Sequence, residues 1–144
     1  MTRAVIAAAA ILAAAALTSS DRAQAQQAVG FYNPATTVSC WTRTGSRLVC
    51  YQESTATWAW IDTRGRSGRQ RGATQPYRPP YRLRVNAPYV TMPGGFRCDV
   101  TYAKRDDRPI LVCVAPTPDK ALGALRDWGF YFATRGAAHR PPTA

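Results

Sequence analysis

The stretch Val38-Ser39-Cys40-Trp41-Thr42-Arg43-Thr44-Gly45-Ser46-Arg47-Leu48-Val49-Cys50-Tyr51-Gln52 decides the fold class. Residues 38–43 and 47–52 are short runs rich in β-branched and aromatic residues, and Thr44-Gly45-Ser46 between them is turn chemistry. Folding the chain about Gly45 sets Cys40 opposite Cys50, Trp41 opposite Val49 and Ser39 opposite Tyr51. A cross-strand disulfide is then sterically accessible. Residues 55–61 continue as a third strand, with Trp58 and Trp60 on one face.

Downstream, a second hairpin repeats the logic. Phe96, Cys98, Val100 and Tyr102 share one face, and Arg97, Asp99 and Thr101 share the other. Residues 104–108 form a charged tip, and residues 110–115 read as a buried return strand. Folding about Arg105-Asp106 sets Cys98 opposite Cys113. The two hairpins share Leu-Val-Cys (48–50 and 111–113), which is too short to define a repeat. Thr117-Pro118-Asp119 has the chemistry of a helix start, and Leu122, Leu125 and Trp128 follow at helical spacing up to Gly129. Residues 130–134 read as a last strand. The expected fold is mainly β: a small disulfide-braced sheet or barrel of hairpins with one short C-terminal helix.

The beginning of the chain reads as an export signal. One positive charge at Arg3 precedes an uninterrupted apolar stretch, residues 4–17, and Ala23-Gln24-Ala25 offers small residues at the two positions a signal peptidase reads. The stretch is shorter than the roughly 20 residues that span a bilayer. Expected boundaries are therefore a signal peptide at 1–25, a single β-rich domain at 26–136 and a disordered tail at 137–144. The protein is expected to be periplasmic or secreted, and not an integral membrane protein. All four cysteines lie after residue 25, and an even count in an exported chain points to disulfides. A zinc site is disfavoured, because nine and fourteen residues separate the cysteines of the two pairs and the single His139 sits in a Pro/Ala tail. Of the three possible connectivities, hairpin symmetry favours Cys40–Cys50 with Cys98–Cys113; sequence alone does not choose between them. Neither a metal nor a cofactor is expected.

Two stretches resemble an uncharacterised family of small secreted bacterial proteins, whose members open on Phe-x-x-Pro-Ser-Gly-Asn-Ile-x-Cys and close with a cysteine pair followed by Gly-Phe and a Ser-Arg-Gly-like turn. The first appears here as Phe31-Tyr32-Asn33-Pro34-Ala35-Thr36-Thr37-Val38-Ser39-Cys40. The second appears as Phe96-Arg97-Cys98, Cys113 and Gly129-Phe130-Tyr131-Phe132-Ala133-Thr134-Arg135-Gly136. Ala35-Thr36-Thr37 replaces the family's Ser-Gly-Asn turn, and the Arg-rich middle of this chain has no counterpart in that pattern. The resemblance implies a secreted, cysteine-paired, β-rich protein and carries no activity with it.

Charge supplies the functional signal. The chain carries 19 Lys+Arg against 8 Asp+Glu. Removing Arg3, Arg22 and Asp21 with the signal leaves 17 against 7, a net of +10. Arg64, Arg66, Arg69, Arg71, Arg78, Arg82 and Arg84 fall within 21 residues that contain no acid. Residues 62–80 read as a mobile Arg-rich loop ending in the extended segment Pro76-Tyr77-Arg78-Pro79-Pro80. In residues 81–85, Tyr81, Leu83 and Val85 alternate with Arg82 and Arg84, as in a half-buried strand with a basic outer face. Arg78, Arg82 and Arg84 are expected to form a short guanidinium ladder, the ordered part of any anion site.

Guanidinium groups pair bidentately with phosphate and carboxylate and stack on planar groups. The expected partner is an anionic polymer or lipid surface, and the competing reading is a solvated loop that only confers solubility. Specific nucleic-acid recognition is not expected. Another protein, bound through the disulfide-braced hairpins, is the alternative partner. A small hydrolase ranks third, since the acids Glu53, Asp62 and Asp99 are scattered and the histidine lies in the tail. Trp41, Trp58 and Trp60 are expected to close the core rather than to form a platform for sugar rings.

Overall fold

The computed structural model describes residues 29–42, 45–72, 78–103, 107–116 and 119–142. The signal segment, parts of the two expected hairpin tips (Thr44 of the first; Lys104, Arg105 and Asp106 of the second), Arg43, residues 73–77 and Thr117-Pro118 lie outside the described residues.

The chain builds two antiparallel five-stranded sheets, each a meander in sequence order. The first contains β1 (Gly30–Asn33), β2 (Val38–Thr42), β3 (Arg47–Gln52), β4 (Thr57–Asp62) and β5 (Ser67–Arg71). The second contains β6 (Val90–Met92), β7 (Phe96–Tyr102), β8 (Pro109–Val114), β9 (Ala121–Leu125) and β10 (Gly129–Ala133). In both hairpins the alternating pattern sets the register. Cys40 stands opposite Cys50 and Trp41 opposite Val49, and Cys98 stands opposite Cys113. Both pairs are oxidised, 10 and 15 positions apart in sequence. Each bridge therefore ties the second strand of its sheet to the third. The sulfurs of Cys40, Cys50 and Cys113 lie within 4.8 Å of one another, so the two bridges meet in the core.

Residues of one parity from each sheet make that core. Phe31, Val38, Leu48, Ala59 and Ile61 of the first sheet are fully buried with Phe96, Val100, Leu111, Leu122 and Phe130 of the second. This is the two-layer arrangement of a β-sandwich. The layers are joined along two seams. On one side the connecting chain pairs with β1: Tyr32 N–H donates to the Tyr81 carbonyl (2.8 Å) and Leu83 N–H to the Tyr32 carbonyl (3.0 Å). Leu83 is fully buried there, and the Asn33 side-chain amide caps its carbonyl at 2.7 Å. Across the layers the buried Gln52 amide, held also by the Thr36 carbonyl of its own sheet (3.0 Å), donates to the Leu125 carbonyl (2.8 Å), and at the β5 edge Arg69 donates to the Phe130 carbonyl (3.0 Å).

Three expectations are corrected. The helix expected from Thr117 to Gly129 is β9 and its turn into β10; the helical element described is a 3-10 turn, Arg135–Ala137. Every residue of β9 is buried. A strand covered on both faces shows no alternation, so its leucines can match helical spacing by accident. Gly123 settles the matter physically: a Cβ there would stand 2.1 Å from the ring of Tyr131, its cross-strand partner, so the strand accepts only glycine under that ring.

The expected loop at 62–80 contains an edge strand, β5, paired along its length with β4. Its poverty in apolar residues reflects its position, since an edge strand is held by backbone pairing and by one neighbour. Asp62 organises the turn into it, accepting from the backbone N–H of Arg64 (2.9 Å) and Arg66 (2.8 Å) and from Arg66 Nε (2.7 Å).

Ala138 and His139 of the expected tail lie on the outer face of the second sheet. Ala138 is fully buried there beside Ile110, Val112, Ala121 and Leu125, and the Tyr131 hydroxyl donates to its carbonyl. A short Pro/Ala segment looks structureless in sequence because its partners are distant strands.

Candidate anion-binding face

The outer face of the first sheet follows from the register. One row across the strands runs Gly30, Trp41, Val49, Trp60, Gly68. The next runs Tyr32, Ser39, Tyr51, Trp58, Gln70. Beyond Tyr32 the second row is extended by Arg82, joined to it by a parallel bridge. Beyond the first row stand Arg47 and Asp62, register partners at the far end of β3 and β4.

The tryptophans therefore do not close the core. Trp41, Trp58 and Trp60 are half-buried on this outer face. Trp58 meets Trp41 edge-on at 5.5 Å and leans over Tyr51 at 4.8 Å. Trp60 lies against its partner Gly68, where a Cβ would approach the indole to 2.7 Å. Glycine opposite an aromatic ring lets the ring cover the backbone of the edge strand. Two guanidinium groups rest on this aromatic layer. Arg47 sits over Trp60 at 4.0 Å, and Arg78 over Tyr32 at 4.2 Å.

Arg78 also binds the Glu53 carboxylate at 2.5 Å. That hydrogen bond outweighs partial desolvation and holds the guanidinium above the ordinary arginine pKa. At Asp62, desolvation pulls the carboxyl upward, but the Arg66 and Arg64 N–H donors and the Arg66 guanidinium overcome it and hold the pKa below the ordinary value.

The seven arginines singled out in the sequence separate into groups. Arg82 and Arg84 are exposed on either side of the buried Leu83, as alternation requires. They do not belong to a regular strand, because a single bridge at Arg82 stands where a half-buried strand was expected. Arg78 leaves the expected ladder for Glu53 and Tyr32. Arg64 and Arg66 decorate the Asp62 turn. Arg69 and Arg71 have the opposite parity to Trp58 and Trp60, and Arg69 is turned to the seam with β10. Arg47 was not singled out, although its shared parity with Val49 and Tyr51 is the signal that puts it on this face.

The outcome is an aromatic band with guanidinium groups at both ends. Arg47 lies at one end beside the Arg64–Arg66 turn; Arg78 and Arg82 lie at the other. Arg47 and Tyr51 are four residues apart on β3, about 13 Å along the strand. The bonded cysteine sulfurs offer no thiolate, so their proximity does not amount to a metal site. Two disulfides belong to a non-reducing compartment. Among the described residues, no helix is long and apolar enough to cross a membrane. Fold and face together define a disulfide-braced sandwich of two five-stranded meanders with a basic aromatic face. Compared with protein-family models, curated proteins and solved structures, the chain has no significant match.

Proposed function

We propose that this is an exported, non-enzymatic protein that binds anionic envelope or surface material through its arginines. The observation that carries the reading is the band of Tyr32, Trp41, Trp58 and Trp60 with Arg47 at one end and Arg78 and Arg82 at the other. A guanidinium stacked on a ring, as Arg47 is on Trp60, keeps its in-plane N–H donors available to oxyanions while the ring fixes its position; Arg78 shares its donors with the Glu53 carboxylate. Charges spaced across a sheet face engage a polyanion at several points, whereas isolated surface ion pairs contribute little. The net positive charge adds long-range attraction.

The test is retention of residues 26–144 on immobilised heparin as salt rises, beside sedimentation with phosphatidylglycerol vesicles. The parent is expected to bind heparin with a steep salt dependence. The triple variant Arg47→Gln, Arg78→Gln, Arg82→Gln is expected to elute at lower salt with its fold intact. Equal elution of parent and variant would reduce the face to a solvated surface. Binding to vesicles with no binding to heparin would move the reading from a polymer to a lipid surface.

A further inference from the structure

We propose a second, independent site on the opposite sheet: a cleft that binds a small molecule carrying a carboxylate or phosphate group on an apolar body. On β7 the residues flanking the core Cys98 point outward, so Arg97 and Asp99 lie on the outer face of the second sheet. The C-terminal segment crosses that face and is pinned by the buried Ala138 and the Tyr131 hydroxyl. Its crossing brings Arg135 and His139 to the same place. Between them is a cleft of about 540 Å³, inside the range of about 300–1,000 Å³ typical of small-molecule sites.

The charges in the cleft are unequally engaged. Arg135 is anchored by the Ala115 carbonyl at 2.8 Å and the Pro116 carbonyl at 3.3 Å, which fixes its guanidinium at the rim. Asp99 faces His139, with Oδ1 3.8 Å from Nε2. Arg97 is different. It stacks on Tyr89 at 5.0 Å, and among the described residues it forms no ion pair. Its donors are positioned by the ring and remain available to an oxyanion. Val114, Ala115 and Pro116 supply an apolar wall, and Tyr89 is 56% exposed. A bare ion would leave most of this volume and its apolar wall unused, so an anionic group attached to a ring or short hydrocarbon is the better match.

The site stands apart from the basic face of the first sheet, and four probes test it separately. Backbone amide shifts of Tyr89, Thr91, Asp99 and Val114 are followed by NMR during titration with benzoate, phenyl phosphate, benzyl alcohol and inorganic phosphate. Saturable shifts are expected with benzoate or phenyl phosphate, and the preferred one identifies the oxyanion. Benzyl alcohol and inorganic phosphate alone are expected to bind more weakly. Arg97→Gln, an exposed substitution, is expected to weaken the preferred probe about tenfold, the scale of one lost charge-assisted hydrogen bond. Arg82→Gln on the other sheet is expected to leave it unchanged. The proposal falls if neither anionic probe gives saturable shifts at these residues, if benzyl alcohol matches them, or if the Arg97 variant binds as the parent does. Loss of heparin retention would not bear on it.

Discussion

The outer face of the first sheet is covered by its own side chains, whereas that of the second is covered by another piece of chain. The two sheets are otherwise the same device: a five-strand meander, bridged between its second and third strands, with an aromatic ring laid over a cross-strand glycine. In the first sheet Trp60 covers Gly68 and Arg47 covers Trp60. In the second Tyr131 covers Gly123, and the C-terminal segment covers Tyr131. A cover of side chains is thin and keeps its polar ends in water, so it presents guanidinium groups to a partner. A cover of backbone seals an apolar patch and leaves a gap where it ends, which is the cleft beside Arg97.

The bridges test whether the halves are equivalent. Replacing Cys40 and Cys50 by alanine, or Cys98 and Cys113, is expected to cost about 3 kcal/mol in either sheet, because loop-closure entropy changes slowly with loop length. Urea unfolding of the two double variants measures this; a large gap between them would show that one sheet dominates the stability.

The covered glycines sharpen the contrast. Gly123→Ala would place a Cβ 2.1 Å from a buried tyrosine held by its hydroxyl, and a loss of about 2–3 kcal/mol is expected. Gly68→Ala meets Trp60 at 2.7 Å, but that indole is half-buried and can shift, so about 1 kcal/mol or less is expected. Thermal melts that rank the two the other way would break the comparison of a rigid and a compliant cover.

Acid and alkali should find different halves. The Asp62 pKa is depressed from 3.8 in the folded protein, so its stabilisation is present above 3.8 and is lost as pH falls through the lower folded value. Asp62→Asn should lower the urea midpoint near neutrality and converge with the parent in acid. Burial pushes the Tyr131 phenol above its ordinary 10.0. The unfolded phenol ionises first, so stability should fall as pH rises past 10.0, and Tyr131→Phe should remove that component. Unfolding curves across pH for both variants check the assignment.

The smallest effect on stability is expected at the arginines of the basic face. Arg82→Gln should change stability by within about 0.5 kcal/mol, as exposed substitutions do, yet lower the salt needed to elute the protein from heparin. A stability loss well above that would give Arg82 a structural role.

The sequence by itself determined both hairpins and their register, and it favoured the cysteine pairing that the structure then fixed. Those features are local: a period of two, a turn between the runs, and cysteines equidistant from it. It also determined that Arg82 and Arg84 flank a buried Leu83. Tertiary structure alone decided the rest. β9 is a strand because both its faces are covered by distant residues, which erases the alternation that would have revealed it. β5 is a strand because β4 offers it a backbone to pair with, although its own residues bury little. The tryptophans stand outside because the cysteines of opposite parity took the interior. His139 meets Asp99 because a tail without a pattern of its own fits an apolar patch of the second sheet. For β9 and the tail the deciding contacts join residues far apart in the chain, and no short window of sequence contains both partners.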